Sequence, residues 1–248
     1  MLYCIQENVF RERNYDNLTS TLDRLNLQYE VVKFDKTTHE LIVPEIDTNN
    51  VFVFGSSKLA RVATELGWNP GSFFGGNHDY EIYQLRYNKL LLNYDSKVST
   101  IKSRLNWYPG EMKFIRPTKD SKVFNGGIFT QTKWQDLVDR IKDDIRIQVN
   151  VVKPIYKEAR VWVVNGKVVT SSYYKIGNNV MWLPDVELDG INFVKSALEL
   201  WNDLAPAFVM DIALTPFGWK IVEINCINCS AFYCCDMQKL IIELENTY

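Results

Sequence analysis

FVMDIALTPFGWKIVEIN, residues 208–225, contains two runs of alternating apolar and polar side chains, separated by the segment from Pro216 to Gly218. Alternation with a period of two is typical of β-strands that bury one face. The apolar side chains on the face predicted to be buried are Phe208, Met210, Ile212, Leu214, Val222 and Ile224. We therefore predict a β-hairpin with strands at 208–214 and 219–225.

The connection between the two strands predicts which residues face each other. Pro216 suits the first central position of a type I turn, and Gly218 suits the left-handed conformation that closes a three-residue loop. Such a loop sets Thr215 opposite Trp219. Counting back along both strands, it also sets Asp211 opposite Glu223.

Asp211, Glu223 and Asn225 share the polar face of this hairpin. Carboxylates opposed across two strands have Cβ atoms about 5 Å apart, and their repulsion is about 3 kcal/mol at an effective dielectric constant of ~20. A compensating cation is expected, and carboxylate and amide oxygens suit Mg²⁺, which commonly also binds substrate phosphates. The set predicts a Mg²⁺-nucleotide site. The alternative is a solvated polar face, where water screens the pair to below about 1 kcal/mol.

Composition limits the class of the protein. The chain has 248 residues, of which 46% are hydrophobic, enough for one composite domain or several small lobes. A formal net charge of −2 and a pI near 5.8 give no overall positive field, so bulk binding of nucleic acid is not expected. The sequence has neither a signal-peptide pattern at its start nor an apolar run near the ~20 residues of a membrane span. We expect a cytoplasmic protein that does not bind membranes.

Four of the five cysteines lie close together, at Cys226, Cys229, Cys234 and Cys235. The first two have the Cys-x-x-Cys spacing of zinc ligands, but the second pair follows sooner than is usual in a closed zinc site. Unpaired thiols in a reducing cytoplasm are therefore favoured over a structural zinc ion.

The first 75 residues are predicted to form a small α/β lobe, because strands and helices alternate along them. Strands are predicted at 2–5, 29–34 and 51–54. Helices are predicted at 15–25 and after Ser56, whose side chain can cap the helix that runs to Leu66.

Glycine and proline between residues 67 and 77 separate this lobe from two further predicted lobes, 76–150 and 151–248. Helices are predicted at 80–92, 134–142 and 192–204. Besides the late hairpin, strands are predicted at 112–116, 123–130, 145–152, 158–164 and 167–174. Asn165-Gly166 between the last two strands is a strong signal for a tight hairpin turn.

The late hairpin resembles that of the ATP-grasp superfamily, whose members carry an acidic residue on one late strand and Glu-x-Asn on the next. Asp211 and Glu223-Ile224-Asn225 match in order and approximate spacing. The similarity extends back to about residue 111, and residues 1–75 resemble the lobe that commonly precedes an ATP-grasp pair. The resemblance implies an ATP-grasp fold of α/β and α+β lobes, with ATP and Mg²⁺ as cofactors. Within the superfamily, the chain resembles the short ligases of bacteriophages and bacteria. For a phage-encoded protein, this resemblance implies that the enzyme acts in the host cytoplasm.

Two basic residues resemble those that touch the ATP phosphates in this superfamily. They are Arg116, which precedes Pro117, and Lys122, which lies beyond a polar loop. Independently of the resemblance, Arg116, Lys119 and Lys122 flank that loop, and such local cations suit a polyphosphate. A solvated basic turn is the alternative.

The other implied site residues lie between residues 148 and 175. By resemblance, Arg160 faces the transferred phosphoryl group, and Glu158 approaches the ribose or supports Arg160. An exposed ion pair is the alternative for Glu158. Lys175 is implied to enter the cleft and neutralise charge. The hinge that binds adenine is implied to lie at Gln148, Val149 and Asn150.

The resemblance implies a ligase that joins small-molecule or peptide carboxylates to amines. ATP would convert the carboxylate into an acyl phosphate, and the amine would displace phosphate to give an amide or peptide-like bond. The sequence lacks both the P-loop and the Gly-x-Gly-x-x-Gly fingerprint, which excludes the two commonest nucleotide-binding motifs. A small-molecule kinase on the same fold and a non-catalytic nucleotide- or partner-binding module remain alternatives.

Overall fold

The computed structural model describes the chain except for residues 8, 10–13, 44–45, 76–78, 120–122 and 202–203, and except for the side chains of residues 14–16. The described residues form three sheets with helices packed on them, which confirms the predicted α/β class. None of the helices in this part of the chain combines the length and the apolar character that a membrane crossing requires.

The N-terminal sheet is parallel except at one short edge strand. This region contains β1 (Leu2–Gln6), α1 (Asn14–Arg24), β2 (Tyr29–Phe34), β3 (Leu41–Ile42), β4 (Val51–Phe54), α2 (Ser57–Glu65) and β5 (Pro70–Gly71). The strand order is β3-β2-β1-β4-β5. Every residue of β4 is buried because apolar side chains cover both faces of the sheet. The Ser56 side chain accepts a hydrogen bond from the N–H of Leu59 at 3.4 Å, which confirms the predicted cap of α2.

A second sheet has the order β6-β9-β7-β8 and is antiparallel. It is built from β6 (Lys97–Thr100), β7 (Met112–Pro117), β8 (Gly127–Thr130) and β9 (Arg146–Val151), with α4 (Gln131–Val138) following β8. The strand predicted from residue 123 begins only at Gly127. A Cβ atom on Gly126 would lie 2.6 Å from Cβ of Arg116, so the chain here crosses close over β7. The helix predicted at 134–142 begins earlier, because the Thr130 side chain caps it at Lys133.

The third and largest sheet is antiparallel throughout, with the order β12-β11-β10-β13-β14. Its strands are β10 (Lys157–Val164), β11 (Lys167–Ile176), β12 (Asn179–Pro184), β13 (Ala207–Thr215) and β14 (Gly218–Cys226). Asn165 and Gly166 both have positive φ, 48° and 70°, which confirms the tight turn predicted between β10 and β11. The edge strand β12 was not predicted.

Three helices pack on this large sheet. They are α3 (Tyr80–Tyr87), α5 (Leu188–Leu200) and α6 (Met237–Thr247). The helix predicted at 80–92 ends at Tyr87, since Asn88 has φ of 42° and a short 3₁₀ turn follows. The helix predicted at 192–204 runs four residues earlier as α5. Gly190 in its first turn allows this, because a Cβ atom there would lie 2.8 Å from Val186 and 3.0 Å from Trp219.

Apolar clusters cover both faces of the large sheet. On one face Phe208, Met210 and Ile212 of β13 pack with α3 and α5. On the other face Val209 shares a cluster with α6 and with β1 and β4 of the N-terminal sheet. Helix α3 therefore packs on the large sheet, although the predicted lobe 76–150 includes it. The three lobe limits stay predictions.

Candidate functional site

The hairpin of β13 and β14 brings Asp211 opposite Glu223, as the sequence predicts, but by a different route. The predicted three-residue loop is wrong: Thr215 pairs with Gly218, not with Trp219. A β-bulge then restores the register, because Ile212 pairs with Ile221 whereas Asp211 pairs with Glu223. Val222 is the extra residue on β14.

The bulge also changes which side chains of β14 are buried. Ile221 is fully buried and packs in the apolar cluster of α3 and α5. Val222, which was predicted on the buried face, is half-buried and lines a cleft. The prediction for Val222 was wrong because a bulge reverses the alternation of faces. As a result Val222 and Glu223 both border the same cavity.

Asp211 is held by a buried arginine. Arg160 lies directly opposite it on β10. The guanidinium donates from Nε to Oδ1 and from Nη2 to Oδ2, both at 2.8 Å, and from Nη1 to the carbonyl oxygen of Ala231 at 3.1 Å. Only 8% of the Arg160 side chain and 2% of the Asp211 side chain are exposed. A bidentate arginine–carboxylate pair fixes the plane of the guanidinium as well as its position.

Glu223 is paired with a different arginine, across the cleft. Nη1 of Arg116, on β7 of the second sheet, lies 2.5 Å from Oε2 of Glu223, and about a quarter of each side chain is exposed. Asn225 donates from Nδ2 to Oδ2 of Asp211 at 3.4 Å. The positive charge expected beside the two carboxylates is therefore supplied here by one arginine for each.

The two carboxyl groups differ in pKa. Burial raises the pKa of Asp211 and the charge of Glu223 adds to the rise, while Arg160 opposes both. Burial also acts to raise the pKa of Glu223, but Arg116, Asn225 and Arg160 outweigh it and hold the pKa at about 2. Glu223 is thus ionised at neutral pH and ready to bind a cation.

A cavity of about 320 Å³ lies between the second and third sheets. Arg116 and Lys119 border it on one side, and Glu158, Glu223 and Asn225 border it on the other. Nζ of Lys119 lies 3.4 Å from Oδ2 of Asp79. Lys122, the other predicted phosphate-binding lysine, lies outside the described residues. Arg116 thus faces the cleft together with a second cation.

Glu158 and Lys175 meet at the edge of this cavity. Nζ of Lys175 donates to Oε1 of Glu158 at 2.6 Å, and the hydroxyl of Tyr174 donates to Oε2 at 3.2 Å. Burial raises the pKa of Tyr174. Tyr174 also lines the cavity, although no sequence pattern selects it.

The predicted hinge residues lie on β9, beside Arg116. Gln148 and Asn150 are buried, and Val149 between them is partly buried. Asn150 donates from Nδ2 to Oδ1 of Asp95 at 2.8 Å, and Gln148 accepts from the hydroxyl of Ser96 at 3.4 Å. Both side chains therefore tie β9 to the segment at residues 95–96 and do not line the cavity described above.

A larger cavity, of about 830 Å³, opens among residues 1–2, 26–30 and 46–50 of the N-terminal lobe. Its lining, among the residues that the structure describes, includes Glu30 and Asp47 but no lysine or arginine. Such a lining does not suit a polyphosphate. The smaller cleft beside Glu223 is the better candidate site on chemical grounds.

The cysteine cluster follows the site directly. None of the five cysteines, all of which are described, forms a disulfide, and Sγ of Cys226 lies 3.2 Å from Oδ1 of Asn228. Among the described residues there is no group of three or more histidine, cysteine, aspartate or glutamate side chains that could hold a metal ion.

Tyr233 is a further residue at the site that sequence reasoning missed. Its ring stacks on Tyr174, with centroids 5.1 Å apart and planes 24° apart, and lies 5.0 Å from Cζ of Arg160. It follows Asn225 by eight residues, in a segment with neither alternation nor helical periodicity. No pattern in the sequence could therefore have placed it against Arg160.

Comparisons with known proteins agree with this architecture. The sequence profile of a family described as an ATP-grasp domain matches residues 55–244. No curated protein sequence matches the chain.

Solved structures resemble the chain over nearly its whole length. They include D-cycloserine synthetase DcsG, with a TM-score of 0.60, 11% identity and coverage of 100% of this chain and 99% of that one. The macrocyclase MdnC from Microcystis aeruginosa, bound with precursor peptide MdnA, has a TM-score of 0.58, 14% identity and coverage of 99% and 100%. D-alanine–D-alanine ligase from Bacillus anthracis, complexed with ATP, has a TM-score of 0.60, 14% identity and coverage of 100% and 97%. At these identities the likeness shows the fold.

Proposed function

Because the chain belongs to the ATP-grasp superfamily, we propose that it is an ATP- and Mg²⁺-dependent ligase that joins a carboxylate to an amine. One observation carries the proposal. Asp211 and Glu223 face each other across one hairpin, each with its own arginine, at a cleft between two sheets. Charge-paired carboxylates with shifted pKa values, set together at a cleft, are typical of functional sites.

The proposed nucleotide lies in the cleft between the second and third sheets. Arg116 and Lys119 border the cavity and offer positive charge to the phosphates, and Lys122 stays a predicted third contact. Glu158 is proposed for the ribose. Gln148, Val149 and Asn150 stay a predicted adenine contact, although β9 lies between β6 and β7 and these residues pair with both strands. The cavity of about 320 Å³ is small for ATP, so binding requires the two sheets to separate.

The oxygen atoms at the cleft fit Mg²⁺. Glu223 and Asn225 line the cavity, and Glu223 is kept ionised by its low pKa. Asp211 is proposed as a third ligand, although both of its oxygens also accept hydrogen bonds from Arg160. Mg²⁺ bound with the nucleotide neutralises charge on the phosphates and holds them for transfer.

We propose that the reaction passes through an acyl phosphate. A carboxylate oxygen of the substrate attacks the γ-phosphorus of ATP, and ADP leaves with the electron pair of the broken P–O bond. An amine nitrogen then attacks the acyl carbon, and phosphate leaves as the amide forms and the amine loses its proton. Arg160 and Lys175 offset the negative charge of the transferred group, and positioning between the sheets supplies most of the acceleration.

Both small molecules and peptides are proposed as substrates. The similar structures include a D-alanine–D-alanine ligase and a macrocyclase bound with a precursor peptide. The fold is the same in both, so the choice depends on the walls of the substrate site. A substrate screen therefore has to contain both classes.

The test is to mix the protein with Mg²⁺-ATP and pairs of candidate carboxylates and amines, and to measure ADP release and product mass. We expect ADP release that needs both substrates, and a product that contains both. Asp211→Asn and Glu223→Gln should each lower ADP release about 100-fold or more. Glu111→Gln is the matched control, because it removes a carboxylate that pairs with Lys113 outside the cleft.

Two outcomes would overturn the ligase proposal. ADP release unaffected by Glu223→Gln would reject the metal and nucleotide assignment. A product that gains a phosphoryl group, without an amine, would identify the kinase alternative. A thermal shift with Mg²⁺-ATP but no turnover on any substrate pair would favour a binding module.

A further inference from the structure

Arg160 has contacts on its edges and on one face. Its three nitrogens donate to Asp211 and to the carbonyl oxygen of Ala231, and these hydrogen bonds lie along the edges of the planar group. The ring of Tyr233 lies against the guanidinium, 5.0 Å from Cζ. An aromatic face at this distance attracts a cation and restricts its tilt.

Tyr233 is itself held by its neighbours. Its ring stacks on the ring of Tyr174, with centroids 5.1 Å apart, and its centroid lies 6.1 Å from that of the Trp182 ring. Tyr174 in turn donates to Glu158, so the aromatic contacts connect Arg160 to the proposed ribose-binding carboxylate. Tyr233 therefore makes these aromatic contacts at the site in addition to packing on the apolar cluster of α6, β1 and β4.

The backbone of Tyr233 also indicates a constrained position. Its φ is 47°, in the left-handed region that bulky side chains rarely adopt. Ala231, two residues earlier, supplies the carbonyl oxygen that Arg160 contacts. The same short segment therefore provides both a hydrogen-bond acceptor and an aromatic face to one arginine. Strained conformations of this kind persist where the surrounding contacts fix them.

We propose that Tyr233 is a positioning residue for Arg160. Its ring keeps the guanidinium in the plane set by Asp211 and aligned with the phosphoryl group in the cleft. This inference rests on the proposed function and adds a residue to it. Tyr233 acts through Arg160 and does not itself touch the nucleotide.

The test compares Tyr233→Phe, which keeps the ring, with Tyr233→Leu, which removes it. The phenylalanine variant should keep kcat within about twofold, while the leucine variant lowers kcat about tenfold, in the range of a desolvated cation–π contact. KM for ATP should change by less than about threefold, because alignment acts on the transition state. Phe73→Leu is the matched control, since it shortens another aromatic residue packed on the same cluster as Tyr233.

A double-mutant cycle checks that the effect passes through Arg160. In an Arg160→Lys background, which keeps charge but loses the planar group, Tyr233→Leu should lower kcat by less than about twofold. An undiminished tenfold effect there would overturn the inference. Tyr233→Met serves as a second variant without a ring if the leucine protein does not fold.

A second readout does not depend on turnover. The readout is an NMR spectrum of protein with isotope-labelled arginine. In it the chemical shift of the Arg160 Nε–H should show the ring-current effect of a nearby aromatic face. We expect Tyr233→Phe to keep this shift and Tyr233→Leu to remove it, without ATP present. An Arg160 Nε–H chemical shift that is the same in Tyr233→Leu as in the unchanged protein would by itself overturn the inference. Absence of turnover in the unchanged protein, with the shift intact, would instead overturn the proposed function.

Discussion

Asp211 and Glu223 face each other, yet their surroundings differ. Asp211 and Arg160 belong to adjacent strands of one sheet, and almost none of either side chain is exposed. Glu223 and Arg116 belong to different sheets, and about a quarter of each is exposed. A buried pair is costly to leave incomplete, whereas a partly exposed pair exchanges partners easily. The first pair therefore organises the site, and the second is available for exchange with a ligand.

Removing Asp211 should give the largest effect on stability. Asp211→Ala leaves a buried guanidinium without its carboxylate, which typically costs about 3–5 kcal/mol. Glu223→Ala breaks the partly exposed pair and should cost less than Asp211→Ala, because water screens that pair in part. Urea unfolding of both variants measures the difference. Equal losses would show that the two pairs are energetically alike.

Glu223→Gln should separate activity from stability. We expect turnover with Mg²⁺-ATP to fall about 100-fold, equivalent to about 2.7 kcal/mol, because an oxygen ligand and its charge are lost. The free energy of unfolding should change by less than it does for Asp211→Ala. Turnover at several Mg²⁺ concentrations, with urea unfolding beside it, tests this. A variant that is equally active, or that unfolds, would contradict the assigned role.

Deleting Val222 tests the bulge that lies between the two pairs. Without this residue Ile221 still pairs with Ile212, and Glu223 still follows opposite Asp211 in a regular ladder. We expect a folded protein that is less stable by about 1–2 kcal/mol, because the cleft loses one apolar wall residue. Deleting Lys220 instead also gives a regular ladder, but Val222 then takes the buried place of Ile221 and Ile221 turns to the other face, so the protein should fold with a defect in its core. Circular dichroism and thermal unfolding measure both deletions, and a chain that does not fold without Val222 would show that the bulge is required.

Arg116→Gln should give the smallest of these effects, a change in how the free energy of unfolding depends on pH in acid. The pKa of Glu223 is about 2 in the folded protein and about 4.3 in an unfolded chain. A carboxyl group with a lowered pKa stabilises the fold above its unfolded value, and this contribution is lost as pH falls toward 2. The variant should therefore lose less stability than the unchanged protein between pH ~5 and ~3.

Urea midpoints at the two pH values provide the measurement. Lys195→Gln is the control, because it removes a positive charge from α5, away from the cleft. The same pH dependence in the Arg116 variant and the unchanged protein would show that Arg116 does not set the pKa of Glu223.

The sequence predicted the strands that bury alternating or wholly apolar side chains. Strands β4, β10 and β13 follow this rule, since packing on the sheet faces dictates their residues. Helix α6 was missed although its pattern was readable: Asp236 caps it, and Met237, Leu240, Ile241 and Leu244 are buried. Strand β12 could not be predicted, because it is an edge strand with exposed apolar side chains and no alternation.

The candidate site was predictable only within the hairpin. Asp211 opposite Glu223 was predicted correctly, but the predicted loop lacked the extra pairing at Gly218 and the bulge at Val222, and these two errors cancelled. The pairing of Glu223 with Arg116 joins residues of two different sheets, so no local sequence pattern indicates it. Contacts of Tyr233 with Arg160 are likewise long-range, so no periodicity could indicate them.

The two-sided burial of the large sheet limits how the protein can open. One face packs on α3 and α5, and the other shares an apolar cluster with β1, β4 and α6. The N-terminal sheet and the large sheet therefore share one apolar cluster. The four-stranded sheet that carries Arg116 has a small core of its own, and Val98 of β6 also packs on the cluster of α3 and α5. Entry and exit of the proposed nucleotide are expected to displace the four-stranded sheet, including its contact through Val98. The rate of exchange then depends on how often Arg116 releases Glu223.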